Sequence, residues 1–399
     1  MVLTNEFPPD TRVEKEALTL IEAGHKVFIL CLKFRKEIQD EEYRGIHIIR
    51  AYLSRRMHKK LFALVITVPF YRWFWRKHMD RLIIDHQIDV LHIHDLPLCG
   101  EGIRMAKKRH IRLVADMHEN YPELIRAQRF ANTFFGKLLI SKKKWDRKER
   151  EWLNQIDHII CVADEMKKRM SRFAGKEKFR VVPNKPDIQD LMGHQKENID
   201  IKNKSFGKFN MFYFGKIDNA RGVNVLIDAV RLLKNSIPGI HAIIVGYGIA
   251  LDEYKKKAQE LGLEEDISFE GRRSESDLKS YMEHVDICIL PHKKSQHTDN
   301  TSPNKLFLYM AFSKPVIASN CNYIIKIIHE NNCGTIFESG NPQDLAEKIH
   351  ELYRHPELRE HYGANAGKAI KEKLNWRKKS EPLVELYKEL EEKQTKSEE

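Results

Sequence analysis

The sequence has few cysteines for its length, and none of them forms a Cys-x-x-Cys pair. Six occur in 399 residues, and several, such as Cys31, Cys161 and Cys288, lie within apolar, strand-like runs. Zinc sites need closely spaced ligands, and disulfide frameworks are typical of oxidising compartments. We therefore interpret the cysteines as small buried apolar residues in a reducing compartment, and we expect neither zinc nor disulfides.

Long apolar runs are missing as well, since none reaches the roughly 20 residues that a membrane-spanning helix needs. We expect a cytoplasmic protein that contacts the inner face of the plasma membrane at most peripherally. The opening residues MVLT are typical of the end of a first strand, so we expect a few residues to be missing upstream.

Charge is abundant by contrast. Charged residues make up 32% of the chain, the formal net charge is +12 and the sequence pI is about 9.2. This balance favours anionic partners such as nucleotides, phosphates, membranes or nucleic acid, without choosing among them. With 42% hydrophobic residues, the chain has enough apolar material for two cores of ordinary size.

Strand-like apolar runs alternate with helical patterns in two blocks, separated by a polar, proline-containing segment. Such alternation predicts an α/β protein with parallel sheets that are covered on both faces. We expect two doubly wound, Rossmann-like domains that face each other across a cleft. The predicted boundaries are 1–190 for the N-terminal, acceptor-binding domain, 191–208 for a linker, 209–375 for the C-terminal, donor-binding domain, and 376–399 for a helix that crosses back to the first domain and ends in a tail.

The stretch FYFGKIDNARGVNVLIDAV is the most informative segment of the second domain. A strand ends at Gly215, Lys216 and Arg221 bracket a short loop, and a helix begins near Gly222. Glycine lets a ligand approach the backbone, and a helix N-terminus with two nearby cations suits a diphosphate. The alternative is a solvated turn with two surface cations, and spacing alone leaves both open. The downstream loop with Gly246 and Gly248 is a weak signal by itself, because it lacks a third glycine.

Two histidine-containing segments follow strands of the first domain. In ADMHENYPE, His118 can donate to a sugar hydroxyl or a phosphate, although a structural role is the alternative. In HIHD, which spans residues 92–95, two histidines two positions apart invite a metal interpretation. With no third ligand nearby in the sequence, we expect no metal there.

Residues 55–77 combine aromatic and aliphatic side chains with flanking arginines and lysines. Aromatic residues among cations are typical of helices that lie at a membrane interface. The alternative is a core helix with a basic rim. We favour contact with an anionic membrane surface over nucleic-acid binding, because no basic cluster with stacking aromatics occurs elsewhere.

Taken together in order and spacing, these segments resemble a retaining glycosyltransferase of family 4 with the GT-B fold. The resemblance covers nearly the whole chain, and no single motif is decisive. Its elements include PPDTRVEKEALTLIEAGHKV near the start, ADMHE after a strand, VVPN at the domain joint, and SPNKLFLYMAFSKPVIAS in the second domain.

The resemblance implies the roles of individual residues. Lys216 and Arg221 match the cation pair that contacts the donor diphosphate, and His118 matches a histidine near the donor sugar. The loop after ICILP matches the segment that binds sugar and phosphates. The donor-site residues implied in this way are Gly215, Gly246, Gly248, Thr301, Ser302 and Lys305. The family needs no metal ion, and no DxD-type motif is evident in this sequence.

The sequence departs from the family at two positions that usually hold glutamates. Asn300 stands where one glutamate faces the donor sugar, and Leu308 stands where the other holds the ribose. Asparagine can hydrogen-bond a hydroxyl but carries no charge, and leucine cannot hydrogen-bond a ribose at all. We assign Asn300 to the catalytic group with His118, Lys216 and Arg221.

The leading hypothesis is an enzyme that transfers a sugar, with retention, from a nucleotide diphosphate sugar to a glycan or lipid-linked acceptor. It would serve polysaccharide or glycoconjugate biosynthesis and needs no cofactor beyond its donor substrate. The missing carboxylates leave open a non-catalytic sugar-nucleotide-binding or partner protein with the same fold. A nucleotide-sugar epimerase has no sequence support beyond architecture. The sugar, the base and the acceptor stay open.

Overall fold

The computed structural model describes residues 1–34, 41–62, 65, 69–123, 142–188, 207–295, 298 and 304–398. The chain divides into two compact units. Unit 1 contains residues 1–184 and 379–399, and unit 2 contains residues 185–378.

The strands of the described residues are numbered along the chain. They are β1 (Phe28–Lys33), β2 (Glu41–Tyr43), β3 (Ile46–Tyr52), β4 (Val90–His94), β5 (Arg112–Met117), β6 (His158–Cys161), β7 (Phe179–Val181), β8 (Phe209–Phe214), β9 (Ile240–Val245), β10 (Ile267–Gly271), β11 (Ile287–Leu290), β12 (Val316–Ser319) and β13 (Gly334–Phe337).

The α-helices are numbered in the same way. They are α1 (Thr11–Glu22), α2 (Arg55–Phe62), α3 (Pro69–His86), α4 (Cys99–Arg109), α5 (Lys142–Gln155), α6 (Asp164–Met170), α7 (Val223–Leu233), α8 (Leu251–Glu260), α9 (Leu278–Met282), α10 (Asn304–Ala311), α11 (Asn322–Asn331), α12 (Pro342–Arg354), α13 (Pro356–Glu372), α14 (Trp376–Lys379) and α15 (Glu381–Glu398).

The sheet of unit 1 is parallel except at one edge. Its strands follow the orders β2-β3-β1 and β4-β5-β6-β7, and only β2 pairs antiparallel. Val2 joins the two groups, because it forms parallel bridges with both Leu30 of β1 and Ile93 of β4. The chain therefore reverses its winding direction beside β4, and the loops that follow β4 and β5 lie at the crevice where open α/β sheets bind ligands.

Unit 2 contains a fully parallel six-stranded sheet of order β10-β9-β8-β11-β12-β13. This is the doubly wound order in which the winding direction reverses between the first and fourth strands, here β8 and β11. Ligands of such sheets bind outside the carboxyl ends of the strands at that reversal. The segments after Phe214 and Leu290 therefore occupy the predicted ligand-binding edge.

The strand sequences explain why both faces of this sheet are covered. All six residues of β9 (IHAIIV) are buried, as are all four of β11 (ICIL). One hydrophobic cluster covers one face with α7, α8 and α12, and a second covers the other face with α9, α10 and α11. Continuous burial of this kind is the signature of parallel strands rather than of an alternating half-exposed sheet.

Local sequence signals fix where several helices begin. The side chain of Asp10 accepts a hydrogen bond from the amide of Val13 and caps α1. Asn341 caps α12 through the amides of Gln343 and Asp344, and Pro342 stands at the first helical position. These caps fix the residues at which α1 and α12 begin.

All six cysteines lie in described residues and are buried, as we expected from their apolar surroundings. Within the described part of the chain, no helix combines the length and the apolar character that crossing a membrane requires.

Candidate functional site

Unit 1 contains a group of ionisable side chains at the carboxyl end of its sheet, all buried except that of His118, which is 19% exposed. We call it the histidine–carboxylate cluster. Its members come from α1, β4, β5 and the residue after β5, and they are Arg12, Glu16, His92, His94, Asp116 and His118.

Asp116 is the centre of this cluster and is completely buried. Its carboxylate accepts hydrogen bonds from Arg12 Nε at 3.1 Å and from Arg12 Nη2 at 3.0 Å. It also accepts a short hydrogen bond of 2.6 Å from His118 Nε2. Burial raises the pKa of the Asp116 carboxyl, but the charges of Arg12 and His118 outweigh burial and hold that pKa well below its usual range. Asp116 is therefore an anion held by two cations.

His118 is oriented from two sides. Its ring donates to Asp116, and its backbone amide donates to the Asp95 carboxylate at 3.2 Å. Burial lowers the pKa of His118, but the charge and the hydrogen bond of Asp116 outweigh burial and raise it to about 9. The ring is thus an imidazolium at neutral pH. Its Nδ1 lies 4.0 Å from Asp95 Oδ2, beyond hydrogen-bonding distance, so this N–H is available to a ligand.

The deeper half of the cluster corrects one expectation from the sequence, since the HIHD histidines do have further potential ligands nearby. Glu16 and Asp116 lie beside His92 and His94, and one ligand atom from each of the four lies within 4.8 Å of the others. Several of these polar atoms, including both of His94, make no hydrogen bond.

The geometry nevertheless suits a divalent ion poorly. The guanidinium of Arg12 already lies 2.8 Å from Glu16 and 3.0 Å from Asp116, in the space that a metal would need. The rings of His92 and His94 stack at 4.6 Å with an interplanar angle of 12°. A metal bound by an imidazole lies near the plane of its ring, and two nearly parallel planes cannot both contain it. We therefore interpret the buried atoms that lack a hydrogen bond as part of a network of polar side chains, and not as metal ligands.

In unit 2, the sequence-predicted cations meet at the carboxyl ends of β8 and β11. We call Lys216, Arg221 and Lys305 the cation cluster. Lys216 follows β8, Arg221 ends a 3₁₀ turn before α7, and Lys305 lies in the first turn of α10. The structure thus places Gly215, Lys216, Arg221 and Lys305 at one edge, as sequence spacing suggested for the first three.

The turn that carries Arg221 is fixed by Asp218, which sequence reasoning missed. The Asp218 carboxylate accepts from the amides of Ala220 and Arg221 at 3.0 and 3.1 Å. It also lies 3.8 Å from Lys216 Nζ, although 63% of the Lys216 side chain is exposed. The Asp-x-x-Arg spacing could have revealed this cap, because an aspartate before a turn commonly binds amides two and three residues on.

Arg221 and His292 form a second arrangement that the sequence did not indicate. Arg221 Nη1 lies 3.4 Å from His292 Nε2, while Arg221 Nε is buried without a hydrogen-bond partner. Burial lowers the pKa of His292 to about 3, and the neighbouring Lys305 and Arg221 act in the same direction. His292 is therefore neutral and can accept a hydrogen bond from the guanidinium. The only advance signal was its position directly after the ILP strand end.

The glycines of this edge are required by contacts between loops. A Cβ at Gly246 would lie 1.8 Å from the Gly215 carbonyl oxygen, and a Cβ at Gly248 would lie 1.9 Å from that of Ile217. Gly222 has a φ of 67° and would clash with the Pro291 carbonyl. These glycines therefore let the loops after β8, β9 and β11 pack directly on one another.

The other residues singled out from the sequence are either outside the described residues or buried in the core. Asn300, Thr301 and Ser302 lie outside the described residues. Leu308 is 7% exposed and belongs to the hydrophobic cluster that includes Phe212 and Leu290. The position that usually carries a ribose-binding acid is therefore occupied by a core side chain.

Comparison with known proteins agrees with this architecture. A family model described as Glycosyltransferase Family 4 matches residues 11–189, and one described as Glycosyl transferases group 1 matches residues 194–369. Phosphatidyl-myo-inositol mannosyltransferase of Mycobacterium leprae is 23% identical over 308 residues, which is 77% of this chain and 75% of that protein.

Solved structures share the fold along the whole chain. Sucrose-phosphate synthase from Thermosynechococcus elongatus superposes with a TM-score of 0.71 at 16% identity and covers 98% of both chains. Anabaena Alr3699/HepE in complex with UDP gives a TM-score of 0.66 at 16% identity, covering 97% of this chain and 99% of that one. The protein is a glycosyltransferase with the GT-B fold, in which a family 4 domain precedes a group 1 domain.

Proposed function

We propose that the protein transfers a sugar, with retention of anomeric configuration, from a nucleoside diphosphate sugar to a glycan or lipid-linked acceptor. The observation that carries the donor assignment is the cation cluster. Lys216, Arg221 and Lys305 converge at the winding reversal of the sheet, and in the described residues only Lys216 has a carboxylate within ion-pair distance. Partly buried cations without anionic partners are costly, so a diphosphate beside Arg221 and Lys305 would complete the site.

Charge and position support a diphosphate rather than a carboxylate ligand. The cluster lies beside the N-terminal end of α7, where free backbone amides favour phosphate oxygens. UDP is bound by the structural neighbour Alr3699/HepE, and the group 1 domain of this chain is the one that carries the cluster. The same cations would stabilise the departing diphosphate during transfer, with no metal ion.

His118 supports a catalytic role for unit 1. Its imidazolium is held by Asp116 with Nδ1–H left to donate, which suits a sugar hydroxyl or a phosphate oxygen. We place His118, Lys216, Arg221 and Asn300 in the catalytic group. An acceptor carried on a lipid is favoured by similarity to a mannosyltransferase of phosphatidyl-myo-inositol.

Titration calorimetry with UDP and GDP tests the donor site. Arg221→Ala should lower nucleotide affinity by about ten- to a hundredfold, because a charge-assisted hydrogen bond of roughly 1.5–3 kcal/mol is lost. Lys216→Ala should lower it less, since this side chain is largely exposed. Lys256→Ala is the matched control, because Lys256 is an exposed lysine of α8. Equal affinities for all four proteins would remove these cations from the donor site.

Product analysis separates transfer from mere binding. Incubation of the best-binding nucleotide sugar with lipid and glycan acceptors should give a product whose anomeric configuration, read by NMR, equals that of the donor. The buried Leu308 in place of an acid favours the alternative of a non-catalytic sugar-nucleotide-binding protein. Tight binding without turnover on any acceptor would favour that alternative.

We also propose that residues 55–77 contact an anionic membrane surface. Tyr71, Phe74 and Trp75 are buried in unit 1, whereas Phe70 and Trp73 are 46% and 55% exposed. Among the described residues of the segment, Phe70 and Trp73 are therefore the aromatic side chains that can insert. Lys77 Nζ lies 5.8 Å from the Trp73 ring and supplies a cation beside them.

Co-sedimentation with vesicles of phosphatidylcholine and phosphatidylglycerol tests this contact. Wild-type protein should bind at low salt and release at high salt, and Trp73→Ala should weaken binding. Ile84→Ala is the control, because Ile84 is equally exposed near the far end of α3. Absence of binding at low salt would contradict the proposal.

A further inference from the structure

Lys305 occupies an unusual place in the cation cluster. Its Nζ donates a hydrogen bond to the Tyr213 hydroxyl at 3.2 Å and lies 4.7 Å from the centre of that ring. Gly215 lies directly against it, since a Cβ at that glycine would fall 2.2 Å from Lys305 Nζ. The ammonium is thus confined between β8 and α10.

Two tyrosine side chains near Lys305 are held by hydrogen bonds to the backbone. Tyr213 donates its hydroxyl proton to the Lys216 carbonyl at 2.6 Å, so the hydroxyl oxygen faces Lys305 as an acceptor. The amide of Phe214, at the end of β8, donates to the hydroxyl of Tyr309, which ties α10 to this strand. These hydrogen bonds connect Lys305, and the helix that carries it, to the end of β8.

Four titratable or charged groups among the described residues act on Lys305. They are Tyr213 of β8, Asp218 and Arg221 of the 3₁₀ turn, and His292 after β11. His292 is neutral, and Tyr213 is a neutral phenol. Arg221 and Asp218 remain as one cation and one carboxylate, and Asp218 also lies 3.8 Å from Lys216 Nζ. Within the described residues, no carboxylate forms an ion pair with Lys305.

This environment works against a charged amine. Burial lowers the pKa of Lys305 to about 7, the charge of Arg221 acts in the same direction, and Asp218 offsets only part of the shift. Without a ligand, Lys305 is therefore largely an uncharged amine at pH 8. A diphosphate beside it would reverse the local charge and favour the ammonium.

We propose that Lys305 takes up a proton from solvent when a nucleoside diphosphate occupies the cation cluster. This inference rests on the proposed donor site and specifies how that site is completed. The step is the protonation of a neutral primary amine to an ammonium, and no other bond forms or breaks. Lys305 thus becomes a third diphosphate-binding cation only when the ligand is present.

Proton uptake makes nucleotide affinity depend on pH in a defined direction. Above pH 7 the free protein must acquire a proton in order to bind, so affinity falls as pH rises. The limit is about tenfold per pH unit, which corresponds to uptake of about one proton. The terminal phosphate of a nucleoside diphosphate is fully ionised at pH 8, because its second pKa is near 6, so it contributes little to this change.

Calorimetric titration of the full chain with UDP and GDP at pH 8.0 tests the proposal. Experiments in HEPES and in Tris, which differ in ionisation enthalpy, measure the number of protons exchanged. Wild-type protein should take up about one proton per nucleotide. Lys305→Arg should bind nucleotide with almost no uptake, because arginine is already protonated. Lys305→Met should bind more weakly and also without uptake.

Lys314→Arg is the matched control. Lys314 is a partly buried lysine whose pKa is also lowered by burial, but it donates to the Val285 carbonyl and does not face the cluster. This variant should take up the same number of protons as wild-type protein.

Different failures identify different errors. Nucleotide binding without proton uptake by wild-type protein, or uptake that persists in both Lys305 variants, would overturn the assignment to Lys305 while leaving the donor site in place. Failure of both UDP and GDP to bind would instead contradict the donor site itself, and this inference with it.

Discussion

The two units carry ionisable clusters at the same edge of similar sheets, but the clusters are built in opposite ways. In unit 1, Asp116 accepts hydrogen bonds from Arg12 and His118 at 2.6 to 3.1 Å, so each charge faces an opposite one. In the described part of unit 2, Asp218 is the acid that faces the three cations, and Arg221 Nε has no hydrogen-bond partner among those residues.

This difference indicates that the cluster of unit 1 positions a side chain, whereas the cluster of unit 2 binds an anion. The Asp116 carboxylate is fixed by its hydrogen bonds to Arg12 and His118 before any ligand arrives, because moving one partner leaves a buried charge unpaired. A cluster with excess charge is incomplete by itself and gains most from an anion. The histidine–carboxylate cluster thus holds His118 in place, whereas the cation cluster has excess positive charge that an anionic ligand would neutralise. The three predictions below test this contrast.

Asp116→Asn should have the largest effect, with a loss of about 3–5 kcal/mol in the free energy of unfolding of unit 1. The substitution removes the buried anion that accepts hydrogen bonds from both Arg12 and His118, and it leaves Glu16 as the carboxyl group beside Arg12. Chemical unfolding followed by tryptophan fluorescence measures it, because Trp73, Trp75, Trp145 and Trp152 all belong to unit 1.

The control for this prediction is Asp85→Asn. Asp85 pairs with Arg81, and the two side chains are 49% and 79% exposed. Exposed pairs contribute about 0–1 kcal/mol, so little change is expected. A similarly small change for Asp116→Asn would mean that the cluster of unit 1 is not held by its charges.

Leu308→Glu should have the next largest effect, a loss of about 3 kcal/mol in the stability of unit 2, because it places a carboxyl group in a hydrophobic cluster. Calorimetric unfolding measures stability, and UDP titration measures affinity. If the variant folds normally and binds UDP more tightly, Leu308 faces a ribose and its assignment to the core is wrong.

The smallest predicted effect is a difference in how stability depends on pH. The folded-state pKa of His118 is raised to about 9, so its contribution is fully present below about pH 6.5 and is lost as pH rises through 9. The folded-state pKa of Lys305 is lowered to about 7. The unfolded chain then binds more protons between pH 7 and about 10.4, so stability rises across that interval.

Between pH 7 and 9, the two residues therefore contribute slopes of opposite sign. Calorimetric unfolding at several pH values should show that His118→Gln removes a falling contribution and Lys305→Met removes a rising one. If both variants change the slope in the same direction, the two clusters do not differ in charge balance as described.

Much of the architecture was determined by the sequence itself. Alternation of strand and helix patterns with continuous apolar runs such as IHAIIV predicted two parallel, doubly wound domains, because such runs fit only sheets covered on both faces. Gly215, Lys216 and Arg221 were predicted to lie together because they are adjacent along one strand–turn–helix unit, where local spacing fixes the geometry.

Tertiary structure alone decided the rest. Arg12 lies on α1 and Asp116 on β5, and the two residues are 104 positions apart in sequence. No local sequence pattern relates them, so their hydrogen bonds could not be predicted. Likewise, Lys305 and Tyr213 are 92 residues apart in sequence, and only the fold brings the Lys305 amine within 3.2 Å of the Tyr213 hydroxyl. Burial and the charges of distant neighbours set the protonation of a side chain, and both arise when strands far apart in sequence become neighbours in a sheet.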